Sequence, residues 1–305
     1  MNYKGRVAQL LEAPPQTPSA NENPAPTSLS LIDHVLKELT GPFRQGAAPA
    51  DTMQANPVFF TNNTEFRFWR PHLHVDQLAY REVVMDNCYR LPGHFPPGFV
   101  AVDIGAHIGS FAYAALDRGA ERVFCYEADP RNYAKLVENL REHQYGSRAK
   151  ARHGAVWRSD VPAGRLSMAQ FDDRNPNTNT GGGSVAFDLP GSFTVDALPF
   201  AEVLKQVSEA GCEKIDLLKM DCEGAEFPIL YTAPSLAAVR AICMELHVNA
   251  EFVGPACVSG RKNTEAGMME FLIEQGFNVA RKDGFQDRPY IFAERRAELT
   301  GAGNA

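Results

Sequence analysis

The chain has 305 residues, with 44% hydrophobic and 22% charged positions, the balance of an ordinary folded globule large enough to bury a full core. A formal charge of −7 excludes a broad nucleic-acid surface, which requires clustered Lys and Arg. There is no run of about 18 apolar residues to span a membrane and no apolar signal core at the start, so a cytoplasmic protein is expected.

Residues 1–50 open with Pro14, Pro15, Pro18, Pro24 and Pro26 among small polar residues, a composition that buries little. Leu31, Ile32, Val35, Leu36 and Leu39 then share one face of a short helix stopped by Gly41 and Pro42, a candidate surface for self-association. Residues 51–98 read as a small β or mixed preamble, with short apolar runs at Val58–Phe60, Phe66–Trp69, Val83–Met85 and Tyr89–Leu91.

A larger domain is expected over 99–297, followed by a tail at 298–305. Phe99–Ile104 is an apolar run carrying an acid, Asp103, and it passes at once into the turn Gly105–Gly109. Phe111, Ala112, Ala115 and Leu116 follow on one helical face. Val123–Glu127 forms a second strand; Asp129 and Pro130 cap a helix whose stripe is Tyr133, Leu136, Val137 and Leu140. Ala149–Trp157 suits a third strand, Ile215–Asp221 a fourth and Val239–His247 a fifth. Helices are expected over 200–207 and 264–275, and Phe277–Ala280 with Tyr290–Ala293 as an antiparallel pair. Alternating strands and helices predict an α/β fold with a mostly parallel, Rossmann-like sheet and an antiparallel C-terminal strand. The polar, glycine-rich stretch Asp172–Ser184 is too long for a plain connection and suits a binding loop. The six cysteines show no paired metal spacing and read as reduced thiols.

The glycine turn admits two cofactors. A dinucleotide loop wants a glycine where this chain has His107, whose side chain would crowd a pyrophosphate. S-adenosylmethionine instead needs a carboxylate for its ammonium, here Asp103, and a bend beside its carboxylate and sulfonium, here Gly105–Gly109. Glu127 at the next strand tip suits the ribose hydroxyls, although nicotinamide enzymes place an acid there too.

Val102–Gly109, Tyr126–Pro130, Gly154–Val156, Leu218–Glu226 and Met244–His247 together resemble the FkbM-type methyltransferases. The block Lys219-Met-Asp-Cys-Glu-Gly-Ala-Glu226 is the specific part, and the resemblance covers about residues 80–295. It implies a class I methyltransferase fold, S-adenosylmethionine as cofactor and transfer mostly to oxygen. The cofactor set it implies is Asp103, Gly105, Ala106, His107, Gly109, Ser110, Glu127, Ala128, Asp129 and Asp221, with Ala155 and Val156 flanking the adenine. This chain has Ala128 and Asp129 before Pro130, where the family usually has Pro directly after the acid.

Strand alternation places Asp221, Glu223, Glu245 and His247 together near the transferred methyl as the catalytic set. His247 is the favoured general base, oriented by Glu245 or Asp221. Lys219, within a buried strand, reads as an ion-pair partner, and Glu226 as an acid at a helix start. A metal-assisted variant would hold Mg²⁺ or Mn²⁺ on Asp221, Glu245 and His247; it ranks below metal-free base catalysis, so no metal is assigned. The expected function is O-methylation of a small molecule or sugar hydroxyl, without nucleic-acid or membrane partners. A nicotinamide-linked oxidoreductase and an inactive cofactor-binding scaffold are the alternatives. Residues 58–69 and the Asp172–Ser184 loop are expected to wall the acceptor pocket.

Overall fold

Strand β3 (Val100–Ile104) is buried along its whole length, because helices cover both of its faces. In the computed structural model this strand lies in the interior of a seven-stranded sheet. The structure describes residues 60–61, 64–66, 68, 73–169, 180–186, 192–248, 254–284 and 288–296. The Pro-rich arm, the Leu31–Leu39 stripe and the Asp172–Asn179 part of the polar loop lie outside them.

Ahead of β3 stand two two-residue strands, β1 (Phe60–Thr61) and β2 (Thr64–Glu65), and helix α1 (Leu73–Tyr80), which runs on as a π-helical turn, Arg81–Met85. The β reading of Val83–Met85 is therefore corrected. The half-buried Val83 and Val84 pack against the apolar cluster around helix α2 (Ser110–Asp117), and this packing overrides the strand preference of valine. Phe66 and Phe68 pack at tilted and edge-on angles among Tyr80 and Tyr113 and are not part of the cavity lining.

The chain then builds outward through α2, β4 (Arg122–Glu127), α3 (Pro130–Glu142) and β5 (Ala149–His153). Asp129 caps α3, accepting from Arg131 N at 2.8 Å, with Pro130 at the first turn. The expected single strand Ala149–Trp157 is in fact two. Gly154, at φ 152°, turns the backbone out of the main sheet, and β6 (Ala155–Trp157) joins a second sheet with β7 (Arg165–Ala169) and β8 (Ser192–Pro199).

Helix α4 (Phe200–Glu209) returns the chain across β3 to β9 (Leu217–Met220), followed by α5 (Glu226–Tyr231), β10 (Ala241–Glu245), α6 (Glu265–Glu274), β11 (Phe277–Lys282) and β12 (Tyr290–Arg295). The sheet order is β11-β12-β10-β9-β3-β4-β5, and β12 is antiparallel to both neighbours. Successive crossovers leave β3 in opposite directions, so a crevice opens between the carboxyl ends of β3 and β9, the place where such sheets bind ligands. Alternate residues feed two cores: Val102, Ile104, Leu218 and Met220 on one face, Ala101, Val123, Cys125 and Cys243 on the other.

Candidate active site

At the carboxyl end of β3 the chain must turn sharply beneath the end of β9. Gly105, at φ 76°, makes that turn; a Cβ there would overlap the carbonyl oxygen of Asp221 and lie 2.8 Å from its carbonyl carbon. Gly109, at φ 98°, starts α2 with no room beside Leu136. Between them His107 adopts φ 50°, a conformation uncommon for residues with a side chain. Its Nε2 lies 2.7 Å from Thr180 Oγ1, and that hydroxyl donates to Asp76 Oδ1 at 2.6 Å. The Thr180 hydroxyl thus accepts from His107, which carries its proton on Nε2 and ties the glycine turn to residues 180–186 and to α1. Burial pushes the His107 pKa down, consistent with a neutral ring.

A cavity of about 360 Å³, within the range of small-molecule sites, opens above this turn. Gly105, Ala106, His107, Ser110, Glu127, Ala128, Ala155 and Val156 line one end. Glu127 accepts from the backbone N–H of His107 at 2.7 Å and of Asp129 at 2.8 Å, which fixes its carboxylate at the cavity wall; burial pushes its pKa up to about 7. Thr180, Gly181, Gly183 and Val185 supply part of the roof.

Three expected cofactor contacts do not reach the cavity. Asp103 is fully buried, with Oδ1 3.0 Å from Lys219 Nζ, its neighbour in the β3–β9 register, so its carboxylate is turned to that lysine and is not part of the cavity lining. Asp129 is committed to capping α3 and to both nitrogens of an Arg131 fork. Gly109 serves the start of α2. Lys219 also donates to the Gly105 carbonyl at 2.7 Å and so braces the turn from below. Burial alone would lower its pKa, but Asp103 and Asp221 push it well above the usual lysine range; burial pushes Asp103 up to about 6 against the pull of Lys219.

The β9 and β10 side of the cavity is lined by Asp221, Glu223, Glu245 and Arg288, and Leu78, Ala79, Glu82 and Val83 of α1 and its π turn also line the cavity. Asp221 Oδ2 accepts from Tyr89 Oη at 2.8 Å. His247 stands behind these groups with 6% of its side chain exposed. Its Nε2 is 3.4 Å from Glu223 Oε2, 3.8 Å from Glu245 Oε1 and 3.9 Å from Asp221 Oδ1. Its Nδ1 meets Glu226 Oε1 at 3.1 Å, so Glu226, and not Glu245 or Asp221, orients the ring. Glu226 is itself held by the backbone N–H of Cys222 and of Gly224, both at 2.9 Å.

Burial disfavours the His247 cation, yet Glu226, Glu223 and Asp221 outweigh it and push the pKa up to about 10. The carboxylates around His247 thus stabilise its protonated form, while Nε2 also lies 3.3 Å from the donor Arg288 Nη1. Glu245 is pushed up to about 7 by burial and by Asp221, against the pull of His247 and Arg288. Tyr89, Glu82 and Arg288 were not legible as site residues. Tyr89 and Glu82 arrive with the preamble, and Arg288, with Nη1 3.5 Å from Glu245 Oε1, arrives from the segment before β12.

The strand order, the glycine turn at the switch point and the acidic second-strand tip define a class I methyltransferase fold with a cofactor crevice. The Methyltransferase FkbM domain family matches residues 103–279, and the chain belongs to that family of S-adenosylmethionine-dependent methyltransferases. The chain is 27% identical over 184 residues to the methyltransferase sdnD of Sordaria araneosa, covering 50% of this chain and 67% of that protein. It is 26% identical over 259 residues to the AMB antimetabolite synthetase AmbE of Pseudomonas aeruginosa, 73% of this chain but 12% of that much longer protein. Among solved structures, the magnesium protoporphyrin IX methyltransferase of Synechocystis PCC 6803 with bound SAM matches with a TM-score of 0.35 at 12% identity, over 74% of this chain and 79% of that one.

The residues present fit S-adenosylmethionine: a turn with no room for a Cβ, an anchored carboxylate at Glu127, and small apolar walls at Ala155 and Val156. No helix among the described residues is long and apolar enough to cross a membrane.

Proposed function

We propose that this protein methylates a hydroxyl oxygen of a small molecule or sugar. The observation that carries the reading is the lining of the cavity beyond the cofactor turn, where Asp221, Glu223 and Glu245 present carboxylates toward the place an acceptor would occupy. A hydroxyl becomes an effective nucleophile only as its proton is drawn away, and a carboxylate with a pKa near neutrality suits that task. When bound, S-adenosylmethionine supplies an electrophilic methyl group on its sulfonium.

In this reading Glu245, at about 7, takes the acceptor proton. Glu226 and His247 form a rigid backing that holds Asp221 and Glu223 in place. Leu78, Ala79 and Val83 provide an apolar wall for the body of the acceptor, and Thr180, Gly181, Gly183 and Val185 in the lining help to exclude water.

The test is transfer of labelled methyl from S-adenosylmethionine to a panel of alcohols, phenols, sugars, amines and thiols. Methyl ethers are expected, with Glu245→Gln lowering kcat while leaving cofactor affinity unchanged. Products methylated on nitrogen or sulfur alone would overturn the oxygen reading.

A further inference from the structure

We infer that Asp221, Glu223 and His247 form a binding site for a divalent cation of the Mn²⁺ type at the acceptor end of the cavity. One donor atom from each of these residues lies within 4.8 Å of the other two. His247 Nε2 stands 3.4 Å from Glu223 Oε2 and 3.9 Å from Asp221 Oδ1. Cation–oxygen bonds of about 2.0–2.6 Å put neighbouring donors roughly 3–4 Å apart, so small side-chain rotations complete the triad.

The surroundings orient each donor. Glu226 receives the Nδ1 side of the ring at 3.1 Å and turns Nε2 toward the two carboxylates, the carboxylate–histidine arrangement that supports metal ligands. Tyr89 occupies Asp221 Oδ2, and Oδ1 is the oxygen on the His247 side. Glu245 is the weaker candidate, because it falls outside the set whose donor atoms all lie within 4.8 Å of one another and Tyr290 Oη stands 3.4 Å from its Oε2. The ligand set is thus not the Asp221, Glu245 and His247 set that strand ends alone suggested.

The charge balance points the same way. Lys219 stands 3.0 Å from Asp103 and 4.0 Å from Asp221 Oδ2, while Asp221 Oδ1, Glu223, Glu226 and Glu245 crowd around His247 and Arg288. Arg288 Nη1 is 3.3 Å from Nε2 and 3.7 Å from Glu223 Oε1, so a bound cation must displace this guanidinium, whose side chain is 37% exposed. Two carboxylates with one imidazole suit Mn²⁺, a cation that favours oxygen donors and also accepts an imidazole nitrogen, better than Mg²⁺, whose sites are all oxygen. The bound cation takes the place of the Nε2 proton, and Asp221 and Glu223 line the cavity, which gives access from solvent.

The site is tested on the full chain, dialysed against a chelator and titrated with MnCl₂ while free Mn²⁺ is followed by electron paramagnetic resonance. No cofactor or acceptor is added, so the result is separate from whether transfer goes to oxygen. One bound Mn²⁺ per chain is expected, with imidazole-nitrogen hyperfine coupling in its pulsed spectrum. Glu223→Gln and His247→Gln should each weaken binding by about tenfold or more, and Glu245→Gln by less than about threefold. If His247→Gln does not fold, the nitrogen coupling in the wild type and the Glu223→Gln titration carry the test. Absence of binding at millimolar Mn²⁺, binding without nitrogen coupling, or binding indifferent to Glu223→Gln would overturn the proposal.

Discussion

Replacing Lys219 with Met should expose how much the fold depends on one buried charge pair. Lys219 has 4% of its side chain exposed and Asp103 none, and they stand 3.0 Å apart at the root of the cofactor turn. Deleting one partner of a buried pair leaves the other stranded, at a cost of ~3–5 kcal/mol, and the bond to the Gly105 carbonyl is lost with it. Asp103 can relieve that cost by taking a proton. Its folded pKa is already raised to about 6 with Lys219 present, and without the lysine it must rise further.

The sign follows directly. A carboxyl whose folded pKa lies above its unfolded value binds more protons when folded, so stability falls as pH rises through that window. In the wild type the fall ends near pH 6; in Lys219→Met it should continue above it, by about 1.4 kcal/mol per pH unit until the new pKa is reached. Urea unfolding at pH 6 and pH 8 measures this. The variant should lose more stability at pH 8 than at pH 6, and Asp103→Asn combined with Lys219→Met should recover part of the loss. A pH-independent loss, or a double variant no better than Lys219→Met, would refute the reasoning.

Three further outcomes are expected. Gly105→Ala places a Cβ on the Asp221 carbonyl in a left-handed backbone conformation; calorimetry should show S-adenosylmethionine affinity reduced by about tenfold or more, and wild-type affinity would contradict the crowded turn. Glu226→Gln removes the carboxylate that orients His247, so kcat should fall by roughly 10–100-fold with a smaller change in cofactor affinity, whereas unchanged turnover would assign Glu226 to the turn alone. Cys257 is exposed, while Cys88, Cys125, Cys212 and Cys243 are buried and Cys222 is half-buried, so a thiol reagent should label one site rapidly; fast labelling of a second thiol in the native state would contradict the packing.

Local pattern determined much of this protein. The longer apolar runs marked Val100–Ile104 and Ala241–Glu245 as strands covered on both faces, Asp129 and Pro130 marked a helix start, and Phe277–Ala280 and Tyr290–Ala293 do pair antiparallel. The glycine turn and the Lys219–Glu226 block also pointed to the family, because their chemistry is contained in short stretches. What the tertiary structure decided are the distances between stretches far apart in the chain. Asp103 looked like a ligand contact until register placed Lys219 beside it. Val83–Met85 looked like a strand until packing on α2 made it helical, and Ala149–Trp157 looked continuous until Gly154 broke it. Glu226 does stand at a helix start, as its position in the chain implied, but only the fold brings His247, 21 positions away, against it. Alternation along a strand says which face a side chain takes. Which groups meet on that face, and therefore which proton or cation they hold, is fixed by the arrangement of neighbouring strands and loops.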